Sequence, residues 1–232
     1  MSQELLILTA TAASIGFFHT LLGPDHYLPF IAMAKARKWS IMKTSWITIM
    51  CGAGHVGSSI LLGILGVIFG IGISKIEFFE GMRGNLAGWA FLIFGAGYFI
   101  YGIYRAMKNK PHSHIHIHKK GKIHTHTHDH ENEHDHKHKN ITPWILFTIF
   151  VLGPCEPLIP ILMYPAASNS TGSLIFITLL FAVITILTML TIVLLATYGL
   201  KIANFGKLER YSHALAGFII LFSGTGILFL GL

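Results

Sequence analysis

One segment of this chain occurs twice. Residues 22–33 read Leu-Gly-Pro-Asp-His-Tyr-Leu-Pro-Phe-Ile-Ala-Met, and residues 152–163 read Leu-Gly-Pro-Cys-Glu-Pro-Leu-Ile-Pro-Ile-Leu-Met. Both copies sit inside apolar runs long enough to cross a bilayer. Proline removes a backbone donor and clashes one turn back, so neither copy continues as a regular helix. Irregular backbone at membrane depth is tolerated only where it lines protein or a water-filled cavity. A repeated break with ionisable residues in it is the pattern of a transporter core.

Composition places the chain in the membrane. Hydrophobic residues make up 53% and charged residues 12%, against about 25% charged in soluble domains, and mean hydropathy is +0.61. Six apolar spans are expected at 5–33, 45–73, 87–106, 143–164, 172–199 and 212–231. The first lacks the basic leader of a signal peptide and runs into the Gly-Pro-Asp-His motif, so it reads as structure. The net charge of +7 is concentrated between spans one and two (Lys35, Arg37, Lys38, Lys43), three and four, and five and six (Lys201, Lys207, Arg210), with Lys75 and Arg83 on the other side. The positive-inside rule then puts those three loops in the cytoplasm and both termini outside, in the cell (inner) membrane, and leaves no nucleic-acid footprint. Trp39, Trp46, Trp89 and Trp144 fall near span ends, as interfacial anchors do.

With that orientation the two repeat copies run in opposite directions. The expected fold is an all-α integral membrane protein: six transmembrane helices as two inverted three-helix repeats, with helices one and four broken. Residues 1–106 form the first repeat, 107–140 a cytoplasmic loop and 141–232 the second repeat.

The candidate ligands lie at the breaks. His19, Asp25 and His26 form His-x5-Asp-His, and positions 19 and 26 share a helix face. An ionised aspartate at this depth costs about 3 kcal/mol on insertion scales and requires a cation, a proton or a partner. His55 lies in Cys-Gly-Ala-Gly-His-Val-Gly-Ser-Ser, residues 51–59, where Gly52, Gly54 and Gly57 admit a close helix, expected to be span one. In the second copy, Cys155 offers a soft ligand and Glu156 a charge or a coupling proton. Thr185, Thr188 and Thr191 are either cavity hydroxyls or packing residues. Cys51 and Cys155 do not suggest a disulfide framework.

The loop between spans three and four carries His112, His114, His116, His118, His124, His126, His128, His130, His134, His136 and His138, eleven of the fifteen histidines. Such a tract reads as metal binding, and imidazole suits Zn, Cu, Ni, Co and Fe. Alternation about Lys119-Lys120-Gly121-Lys122 allows a small hairpin with histidines on one face; a flexible strand is favoured over it.

Two resemblances follow from these residues. His19 through His26, Gly54-His55, Gly153-Pro154-Cys155 and the histidine-rich loop resemble the nickel/cobalt transporter superfamily, in particular its six-span efflux and urease-accessory-type members. That family's best-known permeases have four residues between the first His and Asp-His; here there are five. This resemblance implies Ni²⁺ or Co²⁺ as substrate, with Zn²⁺ and Fe²⁺ next, and the span-one histidines and Asp25 as ligands. The second copy is also similar to the thiol-reductant conduits of cytochrome c biogenesis, which carry Pro-Cys in both repeats and pass electrons through the paired cysteines. Here Asp25 stands where the first of those cysteines would be.

The sequence therefore favours a secondary transporter of a divalent transition metal. Its site would comprise His19, Asp25, His26, His55, Cys155 and Glu156, and coupling protons are the expected driving force. No enzyme activity and no prosthetic group are expected; the partners are the metal and the bilayer. The alternatives are a thiol–disulfide electron conduit, a metal-delivery accessory protein, and a sulfite-type anion exporter, for which Asp25 and Glu156 would be a liability.

Overall fold

The computed structural model describes residues 3–108, 112–117, 123–128, 141–167, 171–202 and 206–231. Its membrane body is helical. Helix α1 (Gln3–Leu22) ends at a 3₁₀ turn, Pro24–His26, and α2 (Leu28–Ala36) follows. Then come α3 (Ile41–Ile68) and α4 (Ile73–Lys108). In the second half, α5 (Thr142–Leu152) breaks before α6 (Leu158–Ala167), followed by α7 (Thr171–Ile202) and α8 (Ser212–Leu230).

Among the described residues, five helices are long and apolar enough to cross a membrane: Gln3–Leu22, Ile41–Ile68, Ile73–Lys108, Thr171–Ile202 and Leu208–Leu230. Large apolar side chains such as Leu22, Phe69, Ile93, Leu195 and Phe229 point outward, which in a chain of this hydropathy is a lipid-facing surface. The protein is a multi-pass membrane protein. The sequence-expected fourth span is divided into two short helices, so helix length alone does not make the count six.

The breaks form as the prolines dictate. The Gly23 amide donates to His19 O at 3.0 Å and closes α1. Pro24 then holds Gly23 in an extended conformation, φ −89°, ψ 92°. Gly153 closes α5 by donating to Ile149 O and is extended before Pro154 in the same way, φ −62°, ψ 135°. The first break follows a full-length helix, whereas α5 has only 11 residues before its own.

Several contacts pair off when the halves are exchanged, whereas that between α4 and α5 has no counterpart of similar extent between α8 and α1. Helix α1 packs on α7 as α5 packs on α3; α2 meets α8 and α7 as α6 meets α4 and α3. The closest pair is α4 with α8, which meet at glycines spaced by seven: Gly88, Gly95 and Gly102 on one helix, Gly217 and Gly224 on the other. A methyl group at Gly95, Gly102 or Gly217 would run into backbone atoms of the facing helix, so only glycine permits this approach.

The structure corrects three expectations. Helix α4 starts at Ile73, not near residue 87, and carries Glu80 and Arg83 within it; a buried neighbouring pair of opposite charge is what makes this tolerable. Trp39 is 3% exposed and packs in the core with Phe30, Met33 and Phe150, while Trp46, Trp89 and Trp144 are exposed, Trp89 in the middle of α4 and not near its end. Gly52 and Gly54 admit α7 and α5, not α1: added methyls would meet Ile186 and Met189, or Val151 and Phe147, and Gly57 meets nothing.

In the histidine-rich loop, β1 (His112–Ile117) pairs antiparallel with β2 (Ile123–His128). This is the hairpin that the sequence ranks below a flexible strand. Its register sets His112 opposite His128, His114 opposite His126 and His116 opposite His124. His118, His130, His134, His136 and His138 lie outside the described residues.

Candidate metal centre

The first break brings three histidines together. His19 is in the last turn of α1, His26 in the 3₁₀ turn and His55 on α3. The ring centroids of His19 and His26 are 4.7 Å apart, and those of His26 and His55 are 5.0 Å apart, with planes nearly perpendicular. One nitrogen from each ring falls within 4.8 Å of the others. Tetrahedral ligation at metal–nitrogen distances of 2.0–2.1 Å needs nitrogens roughly 3.4 Å apart, so the widest pair needs to close by at most about 1.4 Å. The Nε2 atoms of all three are buried and have no hydrogen-bond partner. Buried polar atoms are normally satisfied, and three neighbouring histidines that each carry an unpartnered buried nitrogen are an arrangement that a metal ion could complete.

The opposite edges of two of these rings are fixed. His26 Nδ1 lies 3.1 Å from Asp25 Oδ1 and 3.2 Å from Gly23 O. The ring of His55 is held by the carbonyl of Phe150, at the end of α5. A ligand histidine that donates its second N–H to a carboxylate or carbonyl presents the other nitrogen to a metal. Asp25 thus fixes the ring of His26. Gly23 is required here: a Cβ at this position would come within 2.6 Å of His26 Nδ1 and 3.0 Å of Asp25 Oδ1.

The cluster borders a cavity of about 450 Å³ between the two breaks, whose walls include His19, Asp25, His26, His55, Pro154 and Glu156. Glu156 is exposed on its wall. Cys155 is not part of the histidine group among the described residues. It is fully buried in an apolar cluster with Val56, Leu158 and Phe181. Thr185 lies beside Gly16 of α1, where a methyl would be 3.4 Å from its hydroxyl.

The second break is held by residues that the sequence reading placed in a loop. Arg83 donates to Val151 O at 2.8 Å, Gly153 O at 3.2 Å and Ser58 Oγ at 2.6 Å, and pairs with Glu80. Glu80, 1% exposed, accepts from Ser59 Oγ at 3.0 Å and from the Cys155 amide at 3.3 Å. The available signal was the Glu-x-x-Arg spacing, which puts both charges on one helix face beside an apolar run.

The two thiols are far apart. The Cys155 amide donates to Ser59 Oγ at 3.1 Å. Cys51 lies eight residues before Ser59 on α3, roughly 12 Å along the helix axis, and in a different core cluster. A disulfide needs Cα atoms within about 7 Å.

A family model described as the cytochrome C biogenesis protein transmembrane region matches residues 28–227. The chain belongs to that family. Comparison with curated proteins and with solved structures gives no match. The family match agrees with the second resemblance drawn from the sequence and not with the nickel/cobalt transporters. It contains both cysteines and the Glu80–Arg83 pair. It begins just past the first break, so in this family member His19, Asp25 and His26 lie outside the matched stretch.

Proposed function

We propose that this family member is a secondary transporter of a divalent transition metal, Ni²⁺ or Co²⁺, built on the cytochrome c biogenesis membrane scaffold with a metal site in place of the first thiol. The observation that carries this reading is the group of three neighbouring histidines at the first break, each with an unpartnered buried nitrogen. His19, His26 and His55 are the ligands. Asp25 orients His26 and offsets the ion's charge, and Glu156 on the cavity wall takes or releases the coupling proton. Nitrogen donors suit Ni²⁺, Co²⁺ and Zn²⁺, and geometry selects among them. The two halves act as inverted repeats, six spans in all, rocking about the cavity. Support comes from the paired Gly-Pro breaks and from contacts that exchange with the halves. The basic loops support an orientation with both termini outside the cell membrane. Protons compete for the same nitrogens, so affinity falls as pH falls.

The family match favours a second reading better than this one: a thiol–disulfide electron conduit using Cys51 and Cys155. The separation of those thiols and the aspartate at position 25 weigh against it. One experiment divides the readings. Proteoliposomes holding a metal-sensitive dye are offered Ni²⁺, Co²⁺ and Zn²⁺, and parallel samples are assayed for dithiol-dependent reduction across the membrane. Flux that His26→Ala abolishes and Cys51→Ser/Cys155→Ser leaves intact supports metal transport. Transmembrane reduction lost in the cysteine pair variant, with no metal flux, establishes the conduit.

A further inference from the structure

A second cavity, about 310 Å³, lies where the ends of α2 and α7 meet, away from both breaks. Lys35, Lys38, Lys201 and Glu209 line it, together with Trp39 and Thr197. Trp39 is 3% exposed and Thr197 4% exposed. Trp39 Nε1 and Thr197 Oγ1 are buried there without a hydrogen-bond partner. An indole N–H can only donate, and lysines only donate. Lys43 adds charge nearby, its Nζ lying 5.7 Å from the centroid of the Trp39 ring.

The backbone supports the same reading. Helix α2 ends with the Trp39 amide donating to Ala34 O at 2.9 Å, which requires a left-handed residue at position 38. Glycine is the low-strain choice there, yet the chain uses Lys38 at φ 50°. The strained position thus supplies a cation to the cavity wall.

We propose that this cavity binds a phosphate group, with the Trp39 N–H and Thr197 O–H as interior donors and the lysines as its positive rim. Phosphate oxygens accept from every one of these groups, and lysine binds phosphate as a point charge. The phosphate comes either from an anionic phospholipid headgroup or from a soluble anion. This site is independent of the metal reading.

Full-length protein would be placed in nanodiscs of phosphatidylcholine alone, titrated with inorganic phosphate and followed by ³¹P NMR. A second set would contain added phosphatidylglycerol, with retained lipid counted by native mass spectrometry. Trp39→Phe/Thr197→Val removes both donors and should weaken binding about tenfold, and Thr197→Val alone, which keeps the side-chain shape, should weaken it several-fold. Lys201→Gln, on an exposed residue, should weaken it several-fold and flatten its salt dependence. Retention of phosphatidylglycerol without phosphate binding identifies a lipid site; phosphate binding in phosphatidylcholine discs identifies a soluble ligand. Absence of both, or equal binding by the wild type and all variants, overturns the proposal.

Discussion

The two breaks share Leu-Gly-Pro and the same backbone course, yet they are completed in opposite ways. At the second, Arg83 takes up the carbonyls of Val151 and Gly153, and Glu80 accepts from the Cys155 amide. At the first, three imidazole nitrogens are left over. A broken helix exposes polar groups that lipid cannot satisfy. A chain that satisfies them internally makes a structural joint; one that leaves buried nitrogens without a partner makes a candidate site. The repeat motif alone does not distinguish these outcomes. The residues that decide them come from α3 and α4.

The sharpest way to break the contrast is at the joint. Arg83→Ala leaves Glu80 buried without its cation and should cost about 3–5 kcal/mol, read as a drop in melting temperature in detergent. Replacing both charges, with Glu80→Gln/Arg83→Leu, should recover part of that loss. If Arg83→Ala melts like the wild type, the second break is not held by this pair.

At the site the expected effect is on ligand and not on fold. His26→Ala should weaken Co²⁺ binding more than about 100-fold, followed by the visible absorption of bound Co²⁺, with little change in the melting temperature of the metal-free protein. Co²⁺ at about 100 times Kd should stabilise the wild type by roughly 2.7 kcal/mol and the His26 variant not at all. Chelation should reverse this. Asp25→Asn keeps the ligands and alters only their support, so a loss of about 10- to 100-fold is expected. Asn-variant affinity equal to wild type would show that Asp25 does not orient His26. The smallest effect belongs to Gly54→Ala, whose methyl would come 2.8 Å from Val151 and 2.9 Å from Phe147. It should cost about 1–3 kcal/mol and shift His55 slightly, measured as a modest fall in both melting temperature and Co²⁺ affinity.

Both breaks were legible because Gly-Pro acts on local backbone alone. The histidine cluster was legible in its members but not in its construction. Helical spacing put His19 and His26 on one face, whereas they meet because the helix ends between them and the 3₁₀ turn folds His26 back. The surroundings of Cys155 were not legible for the same reason: outside a helix, position in sequence does not set side-chain direction, and Cys155 is buried in an apolar cluster. Glu80 and Arg83 read as loop because charge conventionally marks a span's end. Only their mutual pairing, and the Ser58, Ser59 and backbone partners from two other helices, makes them affordable within the fold. The glycines of α4 and α8 stood at seven-residue spacing in the sequence all along. Their meaning became plain only when the two helices were seen to be partners.

That glycine seam has a mechanical consequence. Where two backbones touch, there are no side chains to repack, and sliding by even one residue would bring a Cβ against a main chain. Helices α4 and α8 therefore resist sliding past one another. Gly84, Asn85 and Phe91 of the one and Ile227 of the other form part of the central cavity's wall, so one side of that chamber is built on this seam. On the proposed transport reading, the two halves would pivot about the seam and not slide along it.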